Sequence, residues 1–204
     1  MKRIAVLVSG GGTNLQALID KEITNGEIVL VVSNNSDAYA LKRAKAAHIK
    51  SAVLVKEKIY SVADYDKRLI KVLLEEKIDL VVLAGFMSIL GNDFIKEFKN
   101  RIINIHPSLI PSFCGKGFYG LRIHERVLEY GVKITGATVH FVNEIPDGGE
   151  IILQKAVEVS CDDTKESLQK KVMEQAEWKI LPEAVNLFCS DRLEIINRTV
   201  IIKQ

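Results

Sequence analysis

Ile4-Ala5-Val6-Leu7-Val8-Ser9-Gly10-Gly11-Gly12-Thr13-Asn14-Leu15 reads as a strand, a glycine turn and the opening of a helix. Five unbroken apolar residues match a strand buried on both faces, as in a parallel sheet. Leu15, Ala17, Leu18 and Ile19 then follow at helical spacing. A turn of this kind presents free backbone N–H groups to an anion where the helix begins, and glycine lets the backbone come close to the ligand. Thr13 and Asn14 add side-chain donors. The loop lacks the Gly-Lys-Ser/Thr of a Walker A sequence and the third glycine of a dinucleotide fingerprint. A tight strand–helix turn with an N-cap is the plain reading, and phosphate binding is the favoured one.

The pattern repeats outward from there. Residues 28–34 form another apolar run ending in small polar residues, and residues 37–47 carry Ala40, Leu41, Ala44 and Ala47 on one helical stripe. Residues 51–55 make a short strand. Ser61 can cap a helix whose apolar face is Tyr65, Leu69, Val72 and Leu73, and residues 80–84 are a further buried strand. Strands alternating with helical segments indicate βαβ units, and right-handed crossovers make the first hundred residues a doubly wound half. The expected fold is α/β: a single domain over residues 1–204 with a doubly wound, mostly parallel sheet and an antiparallel C-terminal portion. Phe86, Met87, Ile89 and Leu90 follow the 80–84 strand as an apolar loop. They are either packed into the core or one wall of a pocket for a flat hydrophobic ligand.

The next strand, residues 101–105, runs into Asn104-Ile105-His106-Pro107-Ser108-Leu109-Ile110-Pro111. Side chains alternate along a strand, so Asn104 and His106 project from one side and Ile103 and Ile105 from the other. An amide donor and a titratable imidazole thus lie together at a strand end, where open α/β sheets place ligands; for this pair alone, a hydrogen-bonded structural His with a turn-forming Asn is an equal alternative. Ser112-Phe113-Cys114-Gly115-Lys116-Gly117-Phe118-Tyr119-Gly120 is a glycine-rich aromatic loop of the kind that closes over something. Cys114 has no evident base partner and reads as a bystander. A helix then stops at Gly131, and His124 within it is assigned to packing or surface.

From residue 133 the texture changes to alternation, with Thr138 and His140 on one face and Val139 and Phe141 on the other. Asp147-Gly148-Gly149 turns the chain into a second strand over residues 151–159. An Asx turn is the common reason for Asp-Gly, and Asp147 is also the third polar group of interest. Residues 164–188 form a long amphipathic helix with Leu168, Val172, Ala176 and Ile180 in register, bent or restarted at Pro182. Residues 193–196 and 199–202 look like a terminal hairpin.

At 204 residues, with 48% apolar and 26% charged residues, the chain is long enough for a real core. A net charge of +2 without a basic run gives no reason to expect nucleic acid. Three cysteines without a CxxC pair argue against a disulfide framework or zinc ribbon and fit a reducing cytoplasm. The apolar run after Met1-Lys2-Arg3 is too short for a signal peptide or membrane span. A soluble cytoplasmic protein with small-molecule partners, no membrane contact and no metal is the expectation.

Taken together, Ser9-Gly10-Gly11-Gly12-Thr13-Asn14-Leu15-Gln16, Ala84-Gly85-Phe86-Met87, the Asn104 to Pro111 stretch, Val139-His140-Phe141-Val142 and Asp147-Gly148-Gly149 closely resemble the phosphoribosylglycinamide formyltransferase family. The set is specific although no single motif is, and it spans nearly the whole chain in order. The resemblance implies transfer of a formyl group from 10-formyltetrahydrofolate to the amine of glycinamide ribonucleotide, in de novo purine synthesis, by a monomer or homodimer. It divides the domain into a nucleotide-binding half (about residues 1–100) and a folate-binding half (about residues 101–204). It implies catalytic roles for Asn104, His106 and Asp147. Gly12, Thr13, Asn14, Glu174 and Glu177 would bind the nucleotide. Met87, Ser88, Ile89, Leu90, Asn104, Asn143, Glu144, Ile145, Pro146 and Asp147 would bind the folate. Asp147 beside His106 would raise the imidazole pKa and make it an acid near neutrality.

The chain departs from that pattern in places. Many family members have Arg where Ser88 stands, and the upstream Arg that reaches the folate tail aligns near Val62. The Ser112 to Gly120 loop is longer than the short Pro-Gly stretch of other members. Methionyl-tRNA formyltransferases usually have His-Ala-Ser in place of His106-Pro107-Ser108 and add a C-terminal tRNA-binding domain. Formyltetrahydrofolate deformylases add an N-terminal regulatory domain. A chain beginning at its first strand and ending at Gln204 is expected to be neither. A folate or nucleotide sensor would have a broken centre, whereas all three polar residues are present.

Overall fold

The computed structural model describes residues 1–55 and 61–203. The chain divides into two compact units, Met1–Asn104 and Ile105–Gln204. In the first, β1 (Lys2–Val8), α1 (Thr13–Ile19), β2 (Gly26–Ser33), α2 (Tyr39–Ala46), β3 (Lys50–Val53), α3 (Val62–Glu75), β4 (Leu80–Leu83) and α4 (Asn92–Glu97) alternate and lead into β5 (Ile102–His106). Every strand pair here is parallel, in the order β3-β2-β1-β4-β5. The chain winds outward from β1 to β3, then returns to the other side of β1 with β4 and β5. That reversal is a topological switch point, and the loops after β1 and β4 flank it, where sheets of this kind hold ligands.

Composition explains the strands. Ile4, Ala5, Val6, Leu7 and Val8 are fully buried, as are Leu80, Val81 and Val82, so the unbroken apolar runs are strands covered on both faces. At the start of α3, Ser61 and Asp64 form a reciprocal capping box, and Tyr65, Leu69 and Leu73 fill the core. The short helix α4 escapes a periodicity reading because six residues hold less than two turns. Its Phe94 is buried, with its ring centroid 5.1 Å from that of Phe98.

In the second unit, α5 (Leu121–Tyr130) ends at Gly131 in the left-handed conformation (φ 78°), the expected glycine stop. β6 (Ile134–Phe141) and β7 (Ile151–Glu158) pair antiparallel, with a register shift at Val139/His140. α6 (Lys165–Val172), a π turn (Met173–Glu177) and α7 (Trp178–Cys189) follow, and then the antiparallel hairpin β8 (Leu193–Ile196) and β9 (Thr199–Ile202). The mostly parallel α/β fold with an antiparallel C-terminal portion is therefore as expected.

The long helix needs a correction. It is interrupted at Met173–Glu177, and α7 runs straight through Pro182. Proline lacks an N–H and crowds the carbonyl four residues earlier, that of Trp178, the residue at which the α-helix resumes. The buried stripe gives a second reason. Leu168, Val172, Ala176 and Ile180 repeat every four residues, and at 3.6 residues per turn each such step overshoots a full turn by about 40°. A wider π turn takes up that drift and keeps all four inward. Among the described residues, no helix is long and apolar enough to cross a membrane.

Candidate active site

In the first unit, the loop between β1 and α1 is fixed from behind by α2. The Ala40 amide donates to the Gly10 carbonyl (3.0 Å) and Arg43 Nε to the Gly11 carbonyl (2.9 Å). Gly12, the N-cap of α1, has φ 70°, and a Cβ there would lie 2.6 Å from the Ala40 Cβ and 2.9 Å from its Cα. Only glycine meets both the left-handed backbone and the close approach. Among the described residues no side chain caps α1, whose N-cap is the backbone of Gly12. Thr13 and Asn14 open the helix. Across the switch point, Ser9 Oγ accepts the Met87 amide (2.7 Å), and Asn34 Nδ2 donates to Ser88 Oγ (2.7 Å). Met87 is 54% exposed and Ile89 77%, with Leu90 half-buried, so this apolar loop is not packed into the core.

The second unit carries the titratable centre. His106, at the end of β5, is 5% exposed. Its Nδ1 lies 3.6 Å from Asp147 Oδ1, and Nε2 lies 2.9 Å from the Phe113 carbonyl. His140 Nε2 is 3.7 Å from the same Asp147 oxygen, while its Nδ1 is 2.6 Å from the Phe141 carbonyl. A carbonyl only accepts, so the outer nitrogen of each ring carries a hydrogen, and both inner nitrogens face one carboxylate. The Gly115 amide donates to Asp147 Oδ2 (2.8 Å), which closes the glycine-rich loop onto the carboxylate.

Local geometry explains how Asp147 gets there. The Asx role belongs to Asn143, whose Oδ1 accepts the Ile145 amide (2.9 Å) and whose Nδ2 donates to the Gly148 carbonyl (3.2 Å). Asp147 takes φ 53°, and Gly149 presses so close to the Phe141 carbonyl that no Cβ could fit. The turn therefore folds back on the end of β6 and returns Asp147 to His140. A bulge at Val139/His140 adds to this by re-aiming the strand end.

Burial pushes the Asp147 carboxyl up, but His140, His106 and the Gly115 amide together hold it below the usual carboxylate range. His106 goes the other way from the expectation. Burial lowers its pKa; Asp147 and the Phe113 carbonyl pull it up without winning, and His140 adds to the lowering. The free protein thus pairs a neutral His106 with an ionised Asp147 at neutral pH. The sign of the Asp147 effect is as expected, and the low-polarity surroundings outweigh it.

Asn104 lies two residues before His106 on the same strand, half-buried. Glu144 and Pro146 belong to the Asp147 loop, where Ile145 is 61% exposed. Glu174 and Glu177 both sit in the π turn, the first exposed and the second buried. His140 is the residue that sequence reasoning missed. Strand alternation put it beside Thr138, but nothing in the pattern signalled that Asp147 would fold onto it. Among the described residues, no group of three or more His, Cys, Asp and Glu side chains could hold a metal.

A family model described as formyl transferase matches residues 2–185. The chain is 41% identical over 198 residues to phosphoribosylglycinamide formyltransferase of Haemophilus influenzae, covering 96% of this chain and 91% of that one. The chain belongs to the phosphoribosylglycinamide formyltransferase family. Its fold superposes with a TM-score of 0.93 on glycinamide ribonucleotide transformylase 1 from Symbiobacterium toebii, at 42% identity, covering 100% of this chain and 95% of that one. It is also 44% identical over 196 residues to the trifunctional purine biosynthetic protein adenosine-3 of Gallus gallus. The match takes in 95% of this chain but spans only 19% of that longer protein.

In this member of the family, the positions where the sequence departs from the expected pattern have structural counterparts. Ser88 accepts a hydrogen bond from Asn34 and so braces its own loop. Val62 opens α3 and is 38% exposed. The loop over residues 112–120 supplies both the Phe113 carbonyl and the Gly115 amide to the titratable centre.

Proposed function

We propose that this formyltransferase moves a formyl group from 10-formyltetrahydrofolate to the primary amine of glycinamide ribonucleotide. The observation that carries the reading is the ionised Asp147 between His106 and His140, with Asn104 two residues from His106. The amine attacks the formyl carbon and forms a C–N bond. The carbonyl becomes an oxyanion, and the attacking nitrogen holds a proton it must lose. The Asn104 amide stabilises the oxyanion, a contribution of about 2.7–4 kcal/mol for one preorganised donor. His106, neutral at the start, takes the amine's proton, and Asp147 stabilises the imidazolium that results. The proton then passes to the folate nitrogen as its bond to the formyl carbon breaks.

The nucleotide phosphate binds the glycine loop at Gly12, Thr13 and Asn14, and Glu174 and Glu177 hold the ribosyl end. Exposed Met87 and Ile89, together with Ser88 and Leu90, suit one face of a flat heteroaromatic ring. So does exposed Ile145 with Asn143, Glu144, Pro146 and Asp147. The ligands are small molecules, and the site of action is the cytoplasm.

A formyl-transfer assay with and without glycinamide ribonucleotide tests this, following absorbance of the released folate. The expected outcome is release that depends on the nucleotide and falls at least ~100-fold in His106→Ala and in Asp147→Asn. Release without the nucleotide would make the protein a hydrolase. Near-normal turnover in either variant would overturn the residue roles.

A further inference from the structure

We infer that Ser108 is a positioning residue for His106, acting through the backbone carbonyl of Phe113. The inference rests on the proposed function only for its kinetic readout. His106 Nε2 lies 2.9 Å from the Phe113 carbonyl, which requires the ring hydrogen on Nε2 and leaves Nδ1 to face Asp147 at 3.6 Å. Left alone, a neutral imidazole beside an ionised carboxylate prefers the opposite tautomer, with Nδ1–H donating to the carboxylate. One backbone carbonyl therefore decides which nitrogen of His106 is bare and can take a proton.

That carbonyl sits on an uncomfortable residue. Phe113 has φ 50°, a left-handed conformation that strains a bulky side chain and persists only where its surroundings hold it. Ser108 supplies the hold. It is fully buried, and its hydroxyl lies 2.6 Å from the Ser112 carbonyl and 3.2 Å from that of Phe113. Ser108 is itself fixed, because Thr138 Oγ1 donates to its carbonyl (2.7 Å) and accepts the Ile110 amide (3.1 Å). The Phe113 ring meets Phe118 and Tyr130 edge-on at 6.3 and 6.0 Å. Without the Ser108 hydroxyl, the 112–113 backbone loses its buried donor. Phe113 is then free to return to negative φ and draw its carbonyl off Nε2.

Long-range 15N–1H spectra of the histidine rings, with His106 assigned by its loss in His106→Ala, read the tautomer directly. At about pH 8, where a histidine of lowered pKa is neutral, wild type is expected as Nε2–H and Ser108→Ala mostly as Nδ1–H. In the transfer assay Ser108→Ala should lose about tenfold or more in kcat with KM for both substrates within about twofold. Adding Phe113→Gly, which adopts positive φ without strain, should return the Nε2–H tautomer and part of kcat. A merely structural serine would not be rescued this way. Persistence of Nε2–H in Ser108→Ala, or unchanged kcat, overturns the inference. If wild type transfers no formyl group the proposed function fails, while the tautomer spectra still decide the role of Ser108.

Discussion

His124 shows how much a single buried side chain contributes to acid sensitivity. It is fully buried on α5, and among the described residues neither ring nitrogen has a hydrogen-bond partner. Burial, with a smaller contribution from His106, pushes its pKa down to about 4. An unfolded histidine takes up a proton near pH 6.5, so between those values the unfolded chain binds a proton that the native chain refuses. Stability from this group is complete above about pH 6.5 and is lost as pH falls toward 4, by about 3 kcal/mol. His124→Leu should flatten the denaturant midpoint over that window, and an unchanged slope would assign the acid sensitivity elsewhere. His106 is also lowered, so the acid limb of kcat/KM is expected below pH 6.5. Asp147→Asn, which removes the charge that pulls His106 up, should move the residual limb lower still. A limb above 6.5 in wild type would mean that His106 starts protonated. Asn104 and His106 were legible as a pair because two residues apart on a strand is a local relation. The His140–Asp147 relation was not, because it depends on a backbone contact at Gly149 that no periodicity reports.

Among the elements, the π turn is the one whose residues carry the proposed ribosyl contacts. The buried spacing of four residues at each step through Leu168, Val172, Ala176 and Ile180 contains one residue more than an unbroken α-helix would need. Deleting Gln175 leaves steps of four, three and four, the spacing of an ordinary amphipathic helix. Such a variant should fold, with its melting temperature within about 4 °C of wild type, since the apolar stripe is kept. Removing the widened turn around Glu174 and Glu177 should raise KM for the nucleotide at least about tenfold while leaving KM for the folate unchanged. A nucleotide KM that does not move would detach the π turn from substrate binding. The sequence displayed the stripe correctly but not its consequence. A four-residue repeat looks helical in a pattern count, and only accumulated rotation shows that an α-helix cannot carry it. The short α4 was invisible for the opposite reason, having too few turns to establish a period.

For the whole molecule, strand–helix alternation in Met1–Asn104 was enough to deduce a parallel sheet, because four buried apolar runs and the short, more exposed β3, separated by helical segments, admit few other arrangements. The antiparallel pairing in Ile105–Gln204 followed from the Asp147-Gly148-Gly149 turn between two alternating segments. The proposed roles distribute the nucleotide phosphate to residues of the first unit and the proton chemistry to residues of the second. A ligand that binds only folded protein stabilises it by about 2.7 kcal/mol at a hundred times its Kd, or about 5–10 °C in melting temperature for a chain of this size. Glycinamide ribonucleotide and a non-reactive formyl-folate analogue should each produce a shift of that order alone. His106→Ala should keep both shifts while losing turnover, because its imidazole moves a proton rather than anchoring either ligand. Differential scanning fluorimetry on the same samples used for the transfer assay makes the comparison. Loss of both shifts along with turnover would mean that the substitution damages the binding site itself, and the catalytic assignment of His106 would have to be withdrawn.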